Sequence, residues 1–146
     1  MALSSVDVDA AVNRACSLLL QHQQAHTKAW VRNTDWLTAC NYLAATHRGE
    51  TPSRIAVIDN AFVMYAVGAN WWAKRPIVHE ELLLSLDERP VDLARVTGFL
   101  EQVARQEGAA GVAFGTSLSQ RDPALIRLYR SHGYANEASM LYKEIS

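Results

Sequence analysis

Two short stretches carry the side chains from which chemistry could be built. In His79-Glu80-Glu81-Leu82-Leu83-Leu84, two carboxylates border an unbroken apolar run. Desolvation by apolar neighbours raises a carboxyl pKa, the direction that a general base working near neutral pH needs. Side chains alternate along a strand, so at most one of Glu80 and Glu81 can line a given cleft. Both would be ordinary solvated acids if the strand began in water, a description that suits Glu81 better than Glu80. The second stretch is Asp122-Pro123-Ala124-Leu125-Ile126-Arg127-Leu128-Tyr129-Arg130-Ser131-His132-Gly133-Tyr134. Asp122 can cap a helix whose first position is Pro123, and Gly133 can close it in a left-handed conformation. Leu125, Leu128, Tyr129 and His132 recur at helical spacing, which turns the Tyr129 phenol toward the buried side. Taken alone, this is a half-buried helix tyrosine whose hydroxyl reaches water.

Composition narrows the classes. A chain of 146 residues forms one domain, 1–146, with a core that needs no staples. Lys plus Arg number 14 against 15 for Asp plus Glu, so no basic excess exists to bind nucleic acid. No basic-then-apolar leader and no apolar span of bilayer length is present, so a cytoplasmic protein without a membrane partner is expected. Cys16 and Cys40 lie far from any CxxC spacing and read as small buried thiols in a reducing compartment. The five histidines (22, 26, 47, 79, 132) show no ligand spacing, and no metal site is expected.

The elements that must position Glu80 and Tyr129 can be read in order. Ser4, Ser5, Asp7 and Asp9 start a helix with a stripe at Val8, Val12, Ala15, Leu19 and His22, fraying near Thr27. His22 and His26 are expected to be solvated at its end. Asn33 or Thr34 caps a second helix, with Trp36, Cys40, Leu43 and His47 on one face. Residues 54–59 and Phe62–Val67 form a hairpin about Asp59-Asn60, and Val78–Leu86 reads as a strand covered on both faces. Between them, the 68–76 loop holds Trp71 and Trp72, one expected buried and the other exposed. Pro90 opens a helix striped by Leu93, Val96, Leu100 and Val103. A short strand at Val112–Phe114, the 122–132 helix and a last strand at 140–145 complete the chain. The fold class is α/β (α+β): a mixed central sheet flanked by helices, in the order ααβββαβαβ.

Leu128-Tyr129, Gly133 and Tyr134 resemble the Leu-Tyr-x-x-x-Gly-Phe segment of the GNAT acetyltransferase superfamily, with Asp122 where that family often has Asn. The element order is similar over nearly the whole chain, although no strand precedes the first helix and only twelve residues follow Tyr134. Such trimming resembles the short members encoded by tailed bacteriophages. The resemblance implies acetyl-CoA as donor, an amine (protein or small molecule) as acceptor, and direct transfer without a covalent enzyme intermediate. It implies that Tyr129 protonates the departing thiolate and that Glu80 is the base. It further implies that the strand at His79–Leu86 splays from its parallel neighbour at 112–116 to admit the pantetheine arm. Backbone amides of Leu84, Ser85 and Leu86 would then polarise the thioester. The family's pyrophosphate loop is glycine-rich. Arg95-Val96-Thr97-Gly98 matches its start but lies inside a helical stripe. The equivalent loop is therefore 87–92, with Arg89, Val91 and Asp92 on the donor, as is Asp122. That loop has no glycine, a proline that cannot donate, and three acids against one arginine. A catalytically weakened, protein-binding version of the fold is the alternative. Missing outer strands would leave an open sheet edge, from which a homodimer through residues 138–145 is expected.

Overall fold

The computed structural model describes residues 5–33, 35–115 and 122–145. Helix α1 (Ser5–Ala25) buries Ala11, Val12 and Ala15. Helix α3 (Trp36–His47) buries Leu43 beside them, and His47 pairs with Asp9 to tie the two helices. The cap of α3 is Asp35, one residue later than expected. Its carboxylate accepts from the Leu37 amide at 3.0 Å, the Thr38 amide at 3.4 Å and the Thr38 hydroxyl at 2.9 Å. Cys16 and Cys40 are half-buried, not buried, and they meet where α1 packs on α3. The Cys40 thiol is pushed up to about 12, by burial first and by Cys16 second.

A single helical turn, α2 (Ala29–Arg32), separates α1 from α3 and was not expected. It folds around His26, which is 2% exposed and so is not the solvated residue that its polar neighbours suggest. The Lys28 amide donates to His26 Nδ1 at 3.1 Å, while Arg32 donates to the carbonyls of His26 and Thr27 at 3.1 and 2.8 Å. The ring's Nδ1 and the turn's carbonyls are satisfied, whereas Nε2 is buried with no hydrogen-bond partner among the described residues.

The sheet runs β1 (Ser53–Ile58), β2 (Ala61–Gly68), β3 (Ile77–Ser85) and β4 (Val112–Ala113), in that spatial order. The first two junctions are antiparallel and the third is parallel, so the sheet is mixed as expected. Asp59 turns the β1–β2 hairpin with φ of 54°, a conformation that Asp tolerates better than branched residues do. One face of the sheet (Phe62, Met64, Leu82, Leu84) packs on α1 and α3. The other (Val63, Tyr65, Val78) packs on α4 (Leu93–Gln106) through Val96, Leu100 and Val103. Asp92, and not Pro90, caps α4, accepting from the Arg95 amide at 3.4 Å. Helix α5 (Asp122–Ser131) closes the chain's regular structure. The expected strand at 140–145 does not form. Its pattern finds no ladder, because β4 offers only two residues, and Leu141 stands 96% exposed.

Candidate active site

The parallel junction between β3 and β4 ends almost as soon as it begins. Val78 pairs with Val112 and His79 with Ala113, and the Val78 amide donates to the Gly111 carbonyl at 3.0 Å. Continued in that register, the Gly115 amide would go to the carbonyl of Glu80. It goes instead to the Glu80 side chain, which accepts it through Oε2 at 3.1 Å. The strands part at this residue. Among the described residues β3 has no further partner on that edge.

A bulge sits at the same point. Met64 pairs with Leu82 but Tyr65 pairs with Glu80, which makes Glu81 the extra residue of β3. Bulges re-aim side chains, and this one sends the two acids to different surroundings. Glu81 Oε1 accepts from the Ser53 hydroxyl at 2.6 Å, with Tyr42 hydrogen-bonded to that hydroxyl at 2.7 Å. Glu81 therefore serves β1 and α3. Glu80 is left beside Gly115, close enough for its charge to act on the Tyr129 phenol. Its carboxyl is raised to about 7, first by desolvation and then by the charge of Glu81, with the Gly115 hydrogen bond opposing.

Tyr129 is the buried residue of α5, 6% exposed. It stacks at a tilt on Phe114 with ring centroids 4.7 Å apart, and Tyr134 meets both rings edge-on at 5.2 and 6.1 Å. Burial, then Glu80, then Tyr134 raise the phenol above its ordinary value, so it is protonated at neutral pH. Glu80 and Tyr129 thus share one electrostatic neighbourhood. Tyr129, Phe114 and Tyr134 line a cleft of about 830 Å³, together with Trp30, Met140 and Tyr142. Glu80 does not line that cleft. Asp122, at the start of α5, does, but its Oδ1 is paired with Lys28 Nζ at 2.9 Å.

The residues expected to hold the donor fare unevenly. The Leu86 amide is taken by the Asn60 carbonyl at 2.8 Å. Antiparallel alternation then turns Leu84 toward β2 as well, and leaves the peptide groups of Leu83 and Ser85 on the open edge. Of the three expected amides, only that of Ser85 is aimed outward, and Leu83 replaces the other two. The 87–92 turn is closed on itself. Asp87 accepts from the Arg89 amide at 2.8 Å and from its Nε and Nη2 at 3.0 and 2.8 Å. Asn60 Nδ2 holds Ser85 Oγ at 3.2 Å, Asp87 Oδ1 at 3.0 Å and the Arg89 carbonyl at 3.0 Å. Asp59 approaches Arg89 Nη2 at 3.6 Å. These bonds hold the Asp87 carboxyl down at about 2, chiefly through Arg89. Arg89 and Asp92, expected on the donor, are committed to Asp87 and to the α4 cap. The edge of β3 past Glu80 thus keeps outward-facing peptide groups, whereas the 87–92 turn spends the Arg89 donors on Asp87. Among the described residues, no group of three or more His, Cys, Asp or Glu is placed to hold a metal ion. No helix among them is long and apolar enough to cross a membrane.

The sequence placed Phe114 and Gly115 on the strand bordering the opening but gave neither a role of its own, and it read Asn60 only as a turn residue. The Trp71-Trp72 pair also departs from expectation. Neither is buried, at 92% and 66% exposed, and they contact each other edge-on with centroids 5.2 Å apart.

No protein-family model matches the sequence, and no curated protein matches it. Solved structures do. A possible acetyltransferase from Clostridium difficile 630 superposes with a TM-score of 0.66 at 14% identity, over 99% of this chain and 95% of that one. An aminoglycoside acetyltransferase from an uncultured soil metagenomic sample, solved with trehalose, gives 0.59 at 12% identity, over 99% and 93%. The chain has the acetyltransferase fold, a mixed four-stranded sheet flanked by helices. Similarity at this level of identity defines the fold.

Proposed function

We propose that the chain is an N-acyltransferase that moves an acetyl group from a thioester, acetyl-CoA in the first instance, directly to an amine. One observation carries the reading. Where the β3–β4 ladder ends, the Glu80 carboxylate takes the Gly115 amide, burial raises it to about 7, and it lies in the field of a buried, protonated phenol. The amine nitrogen attacks the thioester carbonyl and gives up a proton to Glu80. The N–C bond forms, the C–S bond breaks with its electron pair going to sulfur, and Tyr129 protonates the thiolate. Solvent then carries the proton from Glu80 back to Tyr129. A base is most effective when its pKa lies near the working pH, and Glu80 meets that condition. The amides of Ser85 and Leu83 supply the polar edge against which the developing oxyanion would sit.

The test is thiol release from acetyl-CoA by the purified chain with a panel of amines, including an aminoglycoside, a polyamine and a lysine peptide. Turnover that requires both protein and amine supports the reading, and none with any member of the panel overturns it. A second reading is favoured by the closed 87–92 turn and the exposed Trp71-Trp72 pair, in which the fold binds a protein and catalyses nothing. Acetyl-CoA binding in calorimetry separates the two.

A further inference from the structure

The 87–92 turn points to a donor selectivity. We propose that the donor is recognised through its thioester and pantetheine arm, and that the phosphates of coenzyme A gain no hold on this turn. This rests on the transferase reading of the β3–β4 opening, because the arm is placed there.

A helix N-terminus holds phosphate when its first amides are unoccupied and point at the anion. Here the N-terminus of α4 is capped from inside by Asp92, which brings a carboxylate to the position an anion would take. The Arg89 amide donates to Asp87, and residue 90 is proline and has no amide to donate. The Arg89 guanidinium spends two donors on Asp87 and stands near Asp59. Arg14 of α1, which reaches the same end of β3, gives its Nε to the Leu86 carbonyl at 3.3 Å. Asp59, Asp87, Glu88 and Asp92 give this end an acidic surface, which repels a pyrophosphate. Asn60 locks the arrangement, being 5% exposed and donating to the Asp87 carboxylate and the Arg89 carbonyl. A donor that fits carries its acyl thioester and arm into the strand opening and leaves its far end in solvent.

The experiment compares binding of coenzyme A and pantetheine by calorimetry, and turnover of their acetyl thioesters, at low and high salt. The expected result is affinities within about threefold of each other. Coenzyme A binding should also be unchanged or tighter at high salt, where repulsion from the acidic turn is screened. Arg95→Ala, which changes the exposed arginine one turn into α4, should leave the ratio of the two ligands unaltered. Coenzyme A binding 100-fold tighter than pantetheine, weakening as salt rises, would overturn the proposal, as would a collapse of that preference in Arg95→Ala. Pantetheine bound without turnover of either thioester removes the transferase reading and leaves the recognition proposal standing. Binding of neither ligand removes both.

Discussion

The Glu80 carboxylate takes the Gly115 amide at 3.1 Å, the amide that a continued parallel ladder would give to Glu80's own carbonyl. The side chain of Glu80 thus takes the place of a ladder bond at the point where the pairing of the two strands ends.

Glu80→Gln and Glu80→Ala should separate those roles. Glutamine keeps an acceptor for Gly115 and cannot serve as a base, whereas alanine removes both. Turnover of the wild type should rise as pH passes about 7, where Glu80 ionises, and both variants should lose that limb. Stability runs the other way. The folded chain holds this proton more tightly than the unfolded one, so Glu80 costs stability as pH climbs from its unfolded value of 4.5 through about 7. Glu80→Gln should thus be the more stable protein at pH 8, by up to about 3 kcal/mol, and gain nothing at pH 4. Melting curves at the two pH values check the sign. A constant difference would show that Glu80 ionises normally.

Asp87→Asn should release Arg89. The variant loses the bidentate partner that holds the guanidinium, and coenzyme A affinity relative to pantetheine should rise by about tenfold, the order that one charge-assisted contact supplies. Asp87 has its pKa depressed in the fold, so its stabilisation is complete above the unfolded value of 3.8 and disappears as pH falls toward 2. The stability gap between wild type and Asp87→Asn should therefore be flat above pH 5 and close in acid. Calorimetry with the two ligands and acid melts of both proteins measure this.

The strongest periodic signals were legible. The stripe of α4 and the apolar runs of β2 and β3 bury what their spacing says they bury, and Glu80 and Glu81 do part, although through a bulge that the sequence did not announce. What the sequence hid depends on partners. Residues 140–145 have the composition of a strand, but a strand needs a neighbour and β4 is too short to be one. His26 sits in a polar run, and only the turn of α2 folding over it makes it a core residue. Gly115 acts through its backbone, which leaves no trace in side-chain chemistry. The Asp87–Arg89 pair was visible as two opposite charges, but their closure on each other depends on Asn60 arriving from another hairpin.

The exposed Met140 (61%), Leu141 (96%) and Ile145 (81%) lie in a segment with strand-forming residues and no partner. A second copy pairing through 138–145 would cover them, and a homodimer is the expected state in solution. Leu141→Asp should shift the mass seen in light scattering from dimer to monomer without changing the melting of the core. A monomeric wild type at high concentration would remove the expectation.

Tyr129→Phe is the decisive substitution for the chemistry. Phenylalanine keeps the stack on Phe114 and removes only the hydroxyl, so packing should be retained and the melting temperature little altered. If the phenol protonates the thiolate, turnover should fall by roughly 10²–10⁴-fold, the range of positioned acid catalysis. Pantetheine and coenzyme A should bind the variant as they bind the wild type, since the lost group acts on sulfur only as the C–S bond breaks. Burial and the charge of Glu80 both keep the phenol protonated, so the wild-type rate should show no fall near pH 9 from loss of this acid. A thioester with a more acidic thiol needs less protonation, so the penalty of Tyr129→Phe should shrink as the leaving thiol's pKa falls. Turnover, ligand affinity and melting temperature measured on one sample decide the matter. A stable, donor-binding Tyr129→Phe protein with full activity toward every thiol would strip Tyr129 of its role, and leave it as the ring that closes the aromatic cluster of the cleft.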